Sequence, residues 1–322
     1  MRVVFWGTRG SLPTPLTARQ VREKLEQSLR AALEQGISDP QQVPGFIDRH
    51  LDFATRGTYG GNTACVQIQT GDRSLILDAG SGLRELGLET IQQRPVDDPG
   101  EYHILLSHLH WDHIMGLPFF PPAYHPAATI HFYACHRRLE AALHNQQRPP
   151  HFPVRFGSMA ARKTFTLLKP GREYNIAGFT VRPMRQNHPQ LSYGYRIEAD
   201  GKSIVYSTDA EHKSQFLNDE YPFVEFFRRA DLVIFDAQYT FTEAVTHKEN
   251  WGHSSNMVGV ELACRAQVEH LCLFHHDPTN QDQALLLLEE NTRRLAKVHG
   301  KMAGSPYPRR VSLAYDGLVL EP

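Results

Sequence analysis

The sequence predicts an α/β protein in which sheets are covered by helices, with a helical insertion near the N-terminus. Short apolar runs recur along the chain, each closed by an acidic residue or a histidine. Residues 75–77 end at Asp78, 104–106 lead to His108, 203–206 lead to Asp209, 232–235 end at Asp236, and 271–274 end at His275. Helical patterns over 256–266 and 282–298 separate several of these runs, which favours helices packed on sheets over an all-β barrel. Chemistry built on a sheet gathers where strand ends face the same side, so five such endings point to one shared edge.

The elements follow in order. Val3-Val4-Phe5-Trp6 reads as a strand ending in the turn-rich Gly7-Thr8-Arg9-Gly10-Ser11. Over residues 17–35, Val21, Leu25, Leu29 and Ala32/Leu33 recur at helical spacing among charged residues, the pattern of an amphipathic helix that breaks at Gly36. A weaker helical stretch covers 46–53, after Pro44. The insertion 17–53 suits a lid, a dimer contact or surface decoration, and the simplest expectation is a helix packing one face on its own domain. Strands are expected at 65–69, 74–77 and 102–106, then at 164–168 within the irregular, proline-containing stretch 146–171, and at 180–184. Residues 1–322 read as a single domain carrying that insertion.

Composition narrows the classes. At 322 residues and 41% hydrophobic content the chain can bury a core without staples. Its four cysteines form no CxxC pair and read as reduced, structural thiols. A formal net charge of −1 gives no general pull on nucleic acid or anionic membranes. With no charged leader at Met1 and no run near the ~18 apolar residues that span a bilayer, a cytoplasmic protein is expected.

The most informative segment is His108-Leu109-His110-Trp111-Asp112-His113, with four metal-capable side chains in six residues. His108 and His110 are two apart, so in extended backbone they point the same way and can grip one cation. Asp112 and His113 then reach a second position. Crowded imidazoles repel when protonated, so a cation is needed to neutralise and orient the cluster. Downstream, His188, Asp209 and His275 sit at separate strand ends or turns and fill out a seven-residue set. Asp209 alone reads as a helix N-cap, but a carboxylate also bridges two cations, which a neutral imidazole cannot do.

Taken with Phe5-Trp6-Gly7-Thr8-Arg9-Gly10-Ser11, Gly60-Gly61-Asn62-Thr63, Leu77-Asp78-Ala79-Gly80, Ser207-Thr208-Asp209, Gly252-His253-Ser254-Ser255 and His275-His276-Asp277-Pro278, these residues give a specific resemblance. The chain resembles the metallo-β-lactamase-fold superfamily, in particular its ribonuclease Z-like and cyclic-nucleotide phosphodiesterase-like metallohydrolases. The resemblance implies an αβ/βα four-layer sandwich with two metals at one edge between two sheets. It implies that His108, His110 and His188 hold one metal, that Asp112, His113 and His275 hold the other, and that Asp209 bridges them. His276 is the rival to His275, which is preferred because it comes first off the strand. Asp78 and Asn62 match family positions near the site, and Asp78 is expected to orient a ligand or loop.

Two divalent cations ~3.5–4 Å apart bind a shared water, lower its pKa toward ~7 and clamp substrate oxygens. Zinc suits the nitrogen-rich donors, and manganese or iron suit the hard carboxylates. Asp236-Ala237-Gln238-Tyr239 followed by Trp251-Gly252-His253-Ser254 resembles the acid-then-His pair of ribonuclease Z, with Asp236 where that family usually has Glu. There the His donates a proton to the leaving oxygen, which contributes roughly 10²–10⁴-fold. The expected catalytic set is thus Asp112, His253 and Asp236. His253 as a simple cap of the following helix is the competing expectation.

The leading expectation is a binuclear phosphodiesterase for a small substrate such as a cyclic nucleotide, using a metal-bridged hydroxide with His253 as general acid. RNA is a lesser expectation, because no Gly- and Pro-rich arm for gripping transfer RNA is recognisable and the net charge is near zero. The basic residues Arg19, Arg22, Lys24, Arg30 and Arg49 of the insertion are an alternative grip. A mononuclear iron persulfide dioxygenase and a non-hydrolytic nucleotide sensor remain open. Trp111, Phe119, Phe120, Tyr124, Tyr193 and Tyr195 are candidates to line a base pocket. The resemblance also implies a homodimer.

Overall fold

The computed structural model describes residues 1–95 and 98–322. Its first sheet contains β1 (Arg2–Gly7), β2 (Cys65–Thr70), β3 (Arg73–Leu77), β4 (Glu101–Leu105), β5 (Thr129–Ala134) and β6 (Arg162–Leu167). The second contains β7 (Tyr174–Ile176), β8 (Phe179–Gln186), β9 (Ser192–Ala199), β10 (Lys202–Ser207), β11 (Leu232–Asp236), β12 (His270–Phe274) and β13 (Arg310–Leu313). A short β14 (Val319–Leu320) returns to pair with β1. Strand order is β14-β1-β2-β3-β4-β5-β6 in one sheet and β13-β12-β11-β10-β9-β8-β7 in the other. Each sheet is mixed, with β3 to β6 parallel in the first and β10 to β13 parallel in the second.

Alternation along the strands makes the layers. Val66 and Ile68, Leu75 and Leu77, Ile204 and Tyr206, and Cys272 and Phe274 share one buried core between the sheets. Their neighbours in sequence point outward under helices. Val205, Val233, Phe235, Leu271 and Leu273 meet α7 (Pro222–Phe227), α9 (Asn256–Arg265) and α10 (Asp282–Ala303). Cys65, Ile76, Ile104 and Ile130 pack with Leu83 and Leu86 of α4 (Gly82–Gln93) and with α6 (Leu139–Gln146). Strands buried on both faces and helices outside them give the αβ/βα sandwich.

The segment before β2 holds α1 (Ala18–Glu34), α2 (Val43–His50) and the short α3 (Phe53–Arg56). Thr17 caps α1 in a reciprocal pair with Gln20. The second helix starts at Val43 with Pro44 in its first turn, where its missing N–H costs nothing, earlier than the 46–53 expected. The docking of α1 also differs from expectation. Its body-facing contacts are polar: Lys24 Nζ reaches Asp282 Oδ2 at 2.7 Å and the Gly57 carbonyl at 2.8 Å. The apolar stripe Val21, Leu25, Leu29 and Leu33 faces out, 44–79% exposed. Asp282 is 5% exposed, and a carboxylate buried there without its cation would be strongly destabilising.

Candidate metal centre

One edge of the sandwich collects the strand ends. Asp78 follows β3, His108 follows β4, Asp209 follows β10, Asp236 closes β11 and His275 follows β12. Asp78, Asp209 and His275 take positive φ values of 60°, 49° and 62°. Each strand turns sharply there and throws a polar side chain across the edge. A left-handed non-glycine conformation is uncommon, and such strain gathers at functional sites. α5 (Trp111–Ile114) carries Asp112 and His113 back to the same point, with both buried.

The donors form two groups. Ligand atoms of His108, His110 and His188 lie within 4.8 Å of one another, as do those of Asp112, His113 and His275. Asp209 stands between them. Its Oδ1 is 3.3 Å from both His113 Nε2 and His275 Nε2, and its Oδ2 is 3.5 Å from His108 Nε2 and 3.8 Å from His188 Nε2. Asp209 caps no helix. Of the two adjacent histidines, His275 points into the cluster, while His276 is held away by a 2.8 Å bond from Nε2 to the Ala314 carbonyl.

Hydrogen bonds behind the donors set which nitrogen faces the centre. His113 Nδ1 donates to Asp78 Oδ2 at 2.8 Å, His188 Nδ1 to the Gly252 carbonyl at 2.8 Å, and His275 Nδ1 to Gln238 Oε1 at 3.0 Å. Each donation leaves Nε2 as a bare lone pair. His113 Nε2 and His275 Nε2 then face each other at 3.2 Å, and the buried His108 Nε2 has no hydrogen-bond partner. Opposed lone pairs and an orphaned buried nitrogen need positive charge between them. The donor set therefore fits two divalent cations. Burial pushes His113 down, but without a cation Asp209, Asp112 and Asp78 outweigh it and hold His113 well above its usual pKa, so a proton there takes the place that a cation would fill. Burial pushes the Asp209 carboxyl up, but His275, His113 and His108 outweigh it and hold it well below the usual range. Burial and His113 push His108 well down, and burial lowers His110 and His188, so all three present neutral lone pairs.

Asp78 accepts from the Ser107 backbone N–H, the Ser107 hydroxyl and the Tyr206 hydroxyl, each at 2.7 Å, besides His113. Asn62 contacts no candidate ligand; it accepts from Ser81 and from the Thr8 and Arg9 amides, bracing the turn after β1. Ser11 N–H in that turn donates to Asp112 Oδ2 at 2.7 Å. Ser107 and Tyr206 act through long-range contacts and were not singled out in the chain, whereas Ser11 closed a motif already singled out, without its partner Asp112 being evident. Gln238, two residues after Asp236, lay within a stretch already singled out. Gly252 must be glycine, since a Cβ there would fall 2.1 Å from His188 Nδ1 at a φ of +87°.

His253 Nδ1 lies 2.9 Å from Asp236 Oδ2, so the aspartate reaches despite its shorter stem. Asp236 is itself held by the Ala210 and Gln238 amides. The His253 ring stacks on His275 at 5.1 Å and caps no helix. Burial lowers its pKa, but Asp236 outweighs this and raises it to about 8. Among the expected aromatics, Trp111 is 77% exposed beside the ligands, but Tyr195 and Phe120 are fully buried. Tyr195 donates to the Leu106 carbonyl, and Tyr193 packs on His136. Sheet packing claims these rings before any ligand does.

Sheets, edge and donors together define a metal-dependent hydrolase of the metallo-β-lactamase fold. The chain belongs to the beta-lactamase superfamily, whose domain model matches residues 73–276. It is 27% identical over 258 residues to an uncharacterised protein of Mycobacterium leprae, spanning 74% of this chain and 80% of that one. A ribonuclease Z of Thermoplasma acidophilum is 21% identical across 89% of this chain and 90% of its own. The structure of zinc-bound PqqB from Methylobacterium extorquens superposes with a TM-score of 0.65 at 16% identity, covering 100% of each chain.

Proposed function

We propose that the protein is a binuclear metal phosphodiesterase acting on a small diester such as a cyclic nucleotide. The observation that carries this reading is the His253–Asp236 pair beside two donor groups that share Asp209. When bound, the cations acidify water and neutralise phosphate charge. His108, His110 and His188 would hold one, Asp112, His113 and His275 would hold the other, and Asp209, standing between the two groups, would serve both. Zinc suits the five imidazoles, and the relative PqqB binds it; manganese and iron are the alternatives.

The chain's own groups do the rest. Asp236 holds His253 through Nδ1 and favours its protonated form, so Nε2 carries a proton for the leaving alkoxide. Asp112 is oriented toward the centre by the Ser11 amide, which donates to its Oδ2 at 2.7 Å. A cavity of about 390 Å³ opens beside His253, lined in part by Phe216, Leu217, Phe241 and Val245. Its size and apolar wall suit a nucleoside-sized group, which supports a small substrate. Similarity to a ribonuclease Z along most of the chain favours RNA cleavage as the second reading.

Hydrolysis of bis(p-nitrophenyl) phosphate by zinc- or manganese-loaded protein tests the reading, with Asp209→Ala as the blank. Turnover that vanishes in the variant supports it, and a preference for cyclic nucleotides over RNA then selects the small substrate. No turnover with either metal, together with one iron per chain and oxidation of a persulfide, overturns it.

The partner is proposed to be a second copy of the chain, meeting through the outward stripe of α1. Two charge pairs beside that stripe are closed within the helix, Arg19 with Glu23 at 3.1 Å and Arg22 with Glu26 at 2.8 Å. A near-neutral apolar face offers little to an anionic membrane or RNA and suits a like surface.

A further inference from the structure

We propose a second metal site, formed by Glu101, His103 and His131 at the start of β4 and β5 and built for one divalent cation of the zinc type. It lies at the opposite end of the strands from the His108 cluster. His108 lies five positions after His103, about 16 Å along an extended strand. The register explains the cluster. β4 and β5 are parallel with His103 beside His131, and the period of two puts Glu101 on the same face as His103. Tyr102 and Ile104 point instead into the helix-covered core.

The three ligand atoms lie within 4.8 Å of one another. Glu101 Oε1 touches His131 Nε2 and is 3.8 Å from His103 Nε2. Both imidazoles are oriented from behind: His103 Nδ1 meets the Tyr133 hydroxyl at 3.0 Å, and His131 Nδ1 meets Thr164 Oγ1 at 2.7 Å. A hydroxyl that accepts from Nδ1 leaves Nε2 as a metal-ready lone pair, the arrangement that tunes known histidine ligands. The rings stack at 4.8 Å with 12° between planes, so two protonated rings would repel. His131 Nε2 is buried and forms no hydrogen bond of sound geometry, although the carboxylate touches it. Two imidazole nitrogens and one carboxylate oxygen turned toward one point make a three-donor site. Glu101 is 60% exposed on its side chain, so water can complete the coordination.

The test is equilibrium dialysis of the holoprotein against zinc, with metal content read per chain. Wild-type protein is expected to bind one equivalent more than His131→Ala. Glu101→Gln, an exposed change that leaves the fold alone, is expected to weaken that equivalent at least tenfold. Asp209→Ala should lose metal from the main centre and keep this one, so the outcome is independent of the proposed phosphodiesterase activity. Equal metal content in wild type, His131→Ala and Glu101→Gln overturns the site and leaves a structural Glu–His pair. Loss of the extra equivalent with Asp209→Ala, and not with His131→Ala, overturns it equally.

Discussion

His253 and Asp78 show how single residues divide the work at the strand edge. His253 lies beside the donors, its Nδ1 3.9 Å from Asp209 Oδ2, but that nitrogen is held closer by Asp236 at 2.9 Å, so its proposed role is proton donation rather than ligation. His253→Ala is therefore expected to keep two metals per chain and to lower kcat roughly 10²–10⁴-fold on an alkyl diester. The loss should be much smaller on bis(p-nitrophenyl) phosphate, because p-nitrophenolate leaves without a proton. An equal loss on both substrates would remove His253 from leaving-group protonation. Asp78 has the opposite character. It accepts from Ser107, Tyr206 and His113 in full burial. Asp78→Asn puts an amide N–H against one of those donors, so metal affinity is expected to fall ~10–100-fold with ~1–3 kcal/mol of stability lost. Competition with a chelator and urea unfolding read the two effects.

At the scale of elements, α1 is the part whose physics is unfinished within one chain. A Lys24–Asp282 ion pair ties it down while four aliphatic side chains face water. If a second copy covers that stripe, Leu25→Glu with Leu29→Glu should convert a dimer to a monomer by light scattering without changing turnover. A wild-type protein that is already monomeric at micromolar concentration would defeat the proposal. The same helix shows what periodicity conveys. Val21, Leu25, Leu29 and Leu33 identify a helix and its apolar face, but which face meets the body was set by Asp282, more than 240 residues away. Strands such as β5 and β9 were not legible for a related reason. Their alternation uses Thr, His, Tyr and Arg, whose burial depends on the neighbouring strand. α4 was hidden by Gly82 and Gly87, which weaken its helical pattern. Gly87 is there because Phe120 approaches to 2.6 Å of where a Cβ would stand.

For the whole molecule, buried histidines set the response to acid. Burial lowers His212 to a pKa of about 3 and His270 to about 4. In the unfolded chain such groups take up protons near pH ~6.5. Below that pH the unfolded state binds more protons than the folded one, so stability falls as pH drops from about 6.5 toward 4. His270 alone is expected to cost on the order of 3 kcal/mol by pH 4. Thermal unfolding should show a lower Tm at pH 5 than at pH 7.5, and His270→Gln should flatten that slope. An unchanged slope would assign the acid response to other groups. No helix among the described residues is long and apolar enough to cross a membrane.

Sequence alone determined sheets covered by helices, the five strand endings and the donor-rich run from His108 to His113, because local periodicity and ligand spacing are short-range properties; the sandwich itself was what the family resemblance implied. It left open whether His275 or His276 joins the set, and the backbone turn after β12 decided that by aiming one inward and bonding the other to Ala314. Only the tertiary structure brought Ser107 and Tyr206 onto Asp78, aimed Gln238 at His275, and put His103 beside His131. These contacts join residues tens to more than a hundred positions apart, and strand register, which no single segment encodes, fixes which of them meet.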